Sequence, residues 1–216
     1  LLTLCLLAAF LPETAVKANA ASAGLSISQL RQKYPHGKYW NHAGNPGSSN
    51  AVNNQNGYTD IPCSQHGVVG TSKQTCNGFQ PGNTQLSWQC MGYAEKLGYD
   101  ATGYNPRNNA NGWKTYTNAS ALNNLKPGDI VRYKNNGHSI YVIAVNGDIV
   151  TYTDCNSDGH CKIRWDATIS KATLRATFTH VRSGPGVNPE PAPCTCSNVY
   201  AGEYVCTTAS ANLTIS

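Results

Sequence analysis

Between Leu125 and Val181 the chain breaks into short strand patterns divided by turn signals, and one amphipathic helical stripe precedes them. That order leaves few architectures besides a helix packed on an antiparallel sheet. The strand patterns fall at Asp129 to Tyr133, His138 to Val145, Asp148 to Thr153, Cys161 to Trp165 and Arg175 to Val181. In the helix before them Ser87 stands at the capping position, Met91, Ala94 and Leu97 form the inner stripe and Gly98 ends it, which puts Cys90 in the first turn. A shorter helix is predicted over Ser26 to Tyr34, where Ile27, Leu30 and Tyr34 share a stripe and Pro35 stops it. The expected class is α+β, with the strands running as a meander.

With 216 residues, 40% of them hydrophobic, the chain can bury one ordinary core. Charged residues make up only 12%, while Gly, Asn, Ser, Thr and Tyr are abundant, which suits a loop-rich extracellular protein. The formal charge of +5 comes without a block of Lys or Arg, so nothing marks a nucleic-acid binder, although an anionic surface would attract it. The apolar run Leu1 to Leu11 is too short to span a bilayer and leads to Ala18-Asn19-Ala20 and Ala21-Ser22-Ala23, both small-x-small cleavage patterns. Residues 1–23 therefore read as a secretory signal peptide, with the reading frame expected to begin upstream of Leu1 and no membrane attachment after cleavage.

Export places the cysteines in an oxidising compartment, where Cys63 with Cys76 and Cys155 with Cys161 are the natural disulfide pairs. Cys194, Cys196 and Cys206 crowd the tail, and Cys90 is left over. Residues 35 to 86 are rich in Gly, Asn, Ser and Pro without a clear period, a segment long enough to need the Cys63–Cys76 staple. Cys63, His66 and Cys76, with His36 or His42, have spacing compatible with zinc, but export favours the disulfide. The run Lys33 to Trp40 is an aromatic cluster that could line a groove or anchor the N-terminal arm by packing. From Gly184 to Pro193 the prolines read as an extended linker, with a new module beyond it.

A thiol at a helix start faces unpaired N–H groups and the positive end of the dipole, which favour its thiolate over the free value of about 8.5. Cys90 is in that position, and His138 opens an apolar strand as the candidate base. Asp154 and Asn156 follow on the next strand as groups that could hold the imidazole in its working tautomer. The intervening hairpin allows two registers. An Asn146-Gly147 turn would send Asp154 to the face opposite His138, whereas a loop of Val145, Asn146 and Gly147, with Gly147 left-handed, places Asp154 across from His138. The second matches Ile140, Val142 and Ala144 with Val150 and Tyr152 on one face, and it leaves Cys155 pointing away toward Cys161.

The order of Gln89-Cys90 on a helix, Leu125-Lys126-Pro127-Gly128-Asp129-Ile130-Val131, Gly137-His138-Ser139 before a β-branched strand, and an acid and Asn two apart resembles the CHAP family over roughly residues 80 to 182. These are cysteine, histidine-dependent amidohydrolases and peptidases of bacterial wall turnover. The resemblance implies a papain-like domain over 80–183 whose nucleophile helix packs on an antiparallel meander, and which cleaves an amide of peptidoglycan, at the muramoyl-alanine bond or in the stem or cross-bridge. It carries the nucleophile to Cys90, the base to His138, the orienting acid to Asp154 and the supporting amide to Asn156. Asp154 stands where many relatives have Glu, and Cys155 stands between acid and amide where a small residue is usual. Gln89 or the Cys90 N–H would serve the oxyanion, Trp113 and Tyr116 are candidates for substrate contact, and no metal or cofactor is required. NlpC-type peptidases share the Pro-Gly-Asp turn, but they open the helix with Asp-Cys and orient with a second His, whereas here Gln89 precedes the cysteine and His160 falls in a loop. A wall-binding module with a vestigial cysteine site is the non-enzymatic alternative. Residues 199–216 look like the opening strands of a bacterial Src-homology-type wall-binding domain after a linker over 184–198, so the chain is expected to continue past Ser216; residues 24–79 form an N-terminal arm.

Overall fold

The computed structural model describes residues 24–40, 58, 60, 79, 87, 89–188 and 190, together with the backbone of 195–200, 203–208 and 211–215. The signal-peptide reading and the Cys63, His66, Cys76 and His42 readings lie outside the described residues.

The molecule is α+β. Helix α1 spans Ile27–Lys33 and opens as read, with Ser26 capping Gln29 N–H and Gln29 answering in a capping box. Helix α2 spans Gln89–Thr102. It runs past Gly98 and ends where Gly103 takes φ 75. The reason is steric: a Cβ on Gly98 would stand 3.0 Å from both Trp113 and Pro106, so this glycine serves close packing and not termination.

Strands β1 (Lys114–Tyr116), β2 (Ile130–Tyr133), β3 (His138–Asn146), β4 (Ile149–Cys155), β5 (Ile163–Ser170) and β6 (His180–Ser183) form a six-stranded sheet in the order β1-β6-β2-β3-β4-β5. The stretch β2 to β5 is the expected meander, but β6 returns to pair with β2 from the other side. The strand predicted from Arg175 is corrected: Ser170 caps Thr173 N–H at 3.0 Å and starts helix α3 over Lys171–Ala176, with Leu174 buried, before β6 begins. A separate antiparallel sheet comprises β7 (Thr195–Tyr200), β8 (Glu203–Thr208) and β9 (Ala211–Ile215).

Two apolar layers flank the six-stranded sheet. One joins α1 and α2 to Ile130, Tyr141, Ile163 and Trp165, and the other sets Leu122, Leu125 and Leu174 against Val131, Ile140, Val142 and Val150. The aromatic run of the N-terminal arm is structural, with Tyr34 and Trp40 fully buried and packed edge-on against Tyr93. Its backbone is stitched to β5, since Gly37 N–H donates to Ile163 O and Ile163 N–H to Lys38 O, and the Trp165 indole donates to Tyr34 O at 2.6 Å. His36 Nδ1 accepts from Trp165 N–H at 3.1 Å.

The β3–β4 hairpin reaches the expected parity by a different route. Asn146 pairs with Ile149, so the turn is Gly147-Asp148, with Gly147 at φ 57. That register alone would put His138 and Asp154 on opposite faces. A bulge at Ile143 inserts one extra residue, shifts the ladder by one and returns them to the same face. The same bulge exposes Ala144 and turns Val145 inward in its place.

Candidate active site

Three elements converge at the end of the sheet. Helix α2 supplies Cys90, which is 4% exposed, from its second residue. The preceding Gln89 has φ 51, a left-handed backbone that a non-glycine residue rarely takes. The helix is pinned on every side. A Cβ on Gly92 would fall 2.5 Å from Ser87 O and 2.7 Å from Trp40, and Tyr93 Oη lies 3.0 Å from Thr153 Oγ1 on β4. Fully buried Glu95 accepts from Arg107, Arg182 and Ser87, so the Ser87 hydroxyl anchors the next turn and does not cap the first.

His138 opens β3 nearly buried, with its Nε2 2.8 Å from Asp154 Oδ2 and its ring edge-on to Tyr133. The imidazole also interacts with Cys90 and favours its thiolate. With Nε2 engaged by the carboxylate, Nδ1 is the nitrogen left for the sulfur. Asp154 is fully buried and doubly held by Arg164, whose Nε donates to Oδ1 at 3.0 Å and Nη2 to Oδ2 at 2.8 Å; Ser157 Oγ donates to Oδ2 at 2.5 Å. Beyond the sulfur, Arg132 Nη1 lies 3.7 Å from Cys90 Sγ. Arg132, Cys90, His138, Asp154 and Arg164 thus succeed one another as neighbours, cations and the imidazole interleaved with the thiol and the carboxylate.

The electrostatics follow from that order. Burial pushes the Cys90 thiol up, but the interaction with His138, the Ser139 N–H and the Arg132 charge outweigh it and leave the thiol below its ordinary value. Burial likewise disfavours a charged imidazole, yet Asp154 and Cys90 raise His138 to about 9. Asp154 is lowered despite its burial, through His138, Arg164 and Ser157. The arrangement favours a thiolate–imidazolium pair, which is the combination an attacking sulfur and a proton-donating base require.

Cys90, His138 and Asp154 are brought together, with Gln89 beside them at the helix start. Asn156 is not part of the chain: at φ 68 its Oδ1 accepts from Cys161 N–H at 3.0 Å, closing the β4–β5 loop. That loop is held by hydrogen bonds and not by the expected bridge, for among the described residues no disulfide forms and Cys155 and Cys161 are both buried. Trp113 is 1% exposed, with its indole N–H 3.3 Å from Thr102 Oγ1, and so fills the core under α2 where substrate contact was expected. Tyr116 is exposed, but it lines a cavity of about 540 Å³ with Thr115, Asn118, Asp129 and Ser183 that includes none of Cys90, His138 or Asp154. His160 lies exposed in the β4–β5 loop, and the orienting position it would fill in an NlpC-type site is held by Asp154.

Arg132, Ser157 and Arg164 are absent from the sequence reading. Arg164 had a signal, since it lies directly across from Asp154 on the neighbouring strand once a second bulge near Asp166 is allowed for. Arg132 had none, because its meeting with Cys90 depends on the packing of α2 over β2.

The sequence matches no protein-family model and no curated protein. Among solved structures, the crystal structure of Ly7917 is similar at 27% identity over 49% of this chain and 40% of that chain, with a TM-score of 0.31. The crystal structure of Ly7917 with the hydrolyzing product of MDP is similar at 28% identity over 43% of this chain and 38% of that chain, also with a TM-score of 0.31. The chain spans about two fifths of the length of these structures.

Proposed function

We propose that the protein is a secreted cysteine hydrolase that cleaves an amide bond of peptidoglycan, as a muramoyl-alanine amidase or as a stem or cross-bridge endopeptidase. The observation that carries the reading is the meeting of Cys90, His138 and Asp154, with His138 Nε2 2.8 Å from Asp154 Oδ2 and the imidazole favouring the Cys90 thiolate. The wall as substrate rests on the resemblance of residues 80 to 182 to the CHAP family, and export rests on the apolar start and its cleavage patterns.

In this reading the Cys90 thiolate adds to the amide carbonyl carbon, and the carbonyl π electrons move to oxygen. The oxyanion is met at the start of α2 by the Cys90 N–H, with the adjacent Gln89 as a second candidate donor. His138 gives its proton to the amine nitrogen as the C–N bond breaks, leaving a thioester on Cys90. The now neutral imidazole takes a proton from water, hydroxide adds to the thioester, and collapse restores the thiolate–imidazolium pair and releases a carboxylic acid, which gives its proton to solvent. Asp154 holds the ring throughout and stabilises its charged form. A wall-binding role for residues 199–216 is part of the same proposal.

Mass spectrometry of fragments released from purified sacculi tests it. The wild-type protein should release muropeptides with one new amine terminus per cut, and that terminus names the bond. Cys90→Ser should fold normally and lose release by roughly 10³-fold or more. Equal release by the variant would end the cysteine reading.

A further inference from the structure

Arg132 takes no part in the Cys90–His138–Asp154 chain, yet its guanidinium lies against the sulfur. Nη1 donates to Cys90 Sγ at 3.7 Å and to Ser139 Oγ at 2.9 Å. The rest of the fork is fastened to the turn that follows β2, with Nε donating to Asn136 Oδ1 at 2.9 Å and Nη2 donating to Asn136 O. That turn is itself costly backbone: Lys134, Asn135 and Asn136 take φ 54, 51 and 70, three consecutive left-handed residues with no glycine among them. It is held in place from the chain leading into β6, where Thr177 Oγ1 accepts from Lys134 N–H and Thr179 Oγ1 from Asn136 N–H, each at 3.0 Å. An arginine with no task would keep its rotamer freedom in solvent. This one is fixed at every nitrogen, and what the fixing aims at the site is Nη1.

We propose, granting Cys90 as the nucleophile, that Arg132 is a further catalytic residue: a permanent positive charge set against the sulfur, holding the thiolate whether His138 is protonated or not. The distinction from His138 matters because the imidazole gives up its charge once per turnover, whereas a guanidinium does not titrate in the working range. A charge that stays in place keeps the sulfur nucleophilic at rest and makes it a better leaving group when the thioester breaks. The other ionisable groups facing this corner are Tyr133 on β2, Asp154 behind His138, and His180 on β6, which burial, Arg182 and Arg132 lower to about 4 and so keep neutral. Among these described groups no second fixed cation touches the sulfur.

The test is the rate of Cys90 alkylation by iodoacetamide across pH, with the full chain. Arg132→Gln should raise the midpoint of the thiolate titration by about one unit, the lower end of what an opposite charge at this range produces, and slow labelling in mild acid about tenfold. Asn136→Gly keeps the charge and tolerates the left-handed backbone but removes the Nε anchor; it should move the midpoint the same way by less. It also covers the case in which Arg132→Gln fails to fold. Midpoints unchanged from wild type in the folded variants would make Arg132 a structural residue and overturn the proposal. The wild-type curve judges the underlying reading separately: a midpoint at the ordinary cysteine value of about 8.5, with nothing released from sacculi, would sink the hydrolase itself.

Discussion

At the scale of single residues, the site is a balance between burial and charge. Cys90, His138 and Asp154 are all buried or nearly so, and burial alone would neutralise each of them. What favours their charged forms is their order, since Arg132, Cys90, His138, Asp154 and Arg164 set groups of opposite sign beside one another. Arg164 and Ser157 fix the short Asp154 side chain from behind. Because Arg164 is 45% exposed, solvent screens its pull on Asp154, so its main service is orientation. Under the proposed mechanism Cys90 and His138 set a pH window with definite signs: activity needs the Cys90 proton absent, which holds above its lowered value, and the His138 proton present, which holds below about 9. The expected kcat/KM profile against soluble muropeptides is a bell whose alkaline limb falls near 9 and whose acid limb lies below the ordinary thiol range. Activity that rises with a midpoint near the usual histidine value of about 6.5 would instead mean that His138 works as a neutral base on an un-ionised thiol.

At the scale of elements, α2 decides whether the site exists, and Gly92 decides where α2 lies. A methyl group there would meet Ser87 O and the Trp40 ring well inside contact distance, and one of those neighbours is backbone. Gly92→Ala is therefore expected to cost about 1–3 kcal/mol in urea unfolding, as overpacking does. It should also slow wall hydrolysis by more than that instability explains, because the displaced turn carries Cys90. Unchanged activity in a folded Gly92→Ala protein would show that the helix start tolerates movement. The same elements show what the sequence could convey. Helix α1 and the meander from β2 to β5 were legible from their apolar periods, whereas α2 was placed correctly although it is buried almost all round, from Gly92 to Gly98, with Met91 of the expected inner stripe only half-buried. Strand β1 was not, since Lys114, Thr115 and Tyr116 are all exposed and alternate nothing. The end of helix α3, Arg175 and Ala176, was read as the start of a strand because the β-branched and aromatic stretch that follows, Thr177 to Val181, masks a capped turn around Leu174. The bulge at Ile143 has no sequence mark at all. The even parity of His138 and Asp154 was readable from function and hydrophobic pattern together, but the means of achieving it lay in a backbone irregularity that only packing selects.

At the scale of the whole molecule, the described segments that flank the motif-bearing stretch, 24–40 and 184–188, are part of its body. Leu30, Tyr34 and Trp40 are each at most 1% exposed, and they complete the core that α1 and α2 share with the sheet. The chain then closes on itself. The stretch read as the start of a linker is docked, with Val187 packed against the core, Asn188 bridged to Ser26, and Glu190 Oε1 accepting from Ser28 N–H at 3.0 Å beside the α1 cap. Glu190 also sits at the N-terminal end of α1, where a carboxylate is favoured, and is held below its usual value by Ser28 and Ser26. A fragment cut to residues 80–183, the limits that motif and composition suggest, would lose these contacts and leave Tyr93 and Trp165 without their cover. Removing a single buried tryptophan typically costs about 3–5 kcal/mol, and whole domains hold only about 5–15 kcal/mol in reserve. The 80–183 fragment is therefore expected to lack a cooperative urea transition and to lose the rapid iodoacetamide labelling of Cys90, whereas a 24–190 fragment should retain both. A cooperative transition and wild-type labelling in 80–183 would mean that the N-terminal arm and the Val187–Glu190 clasp are appendages, and that the sheet and α2 alone set the thiolate.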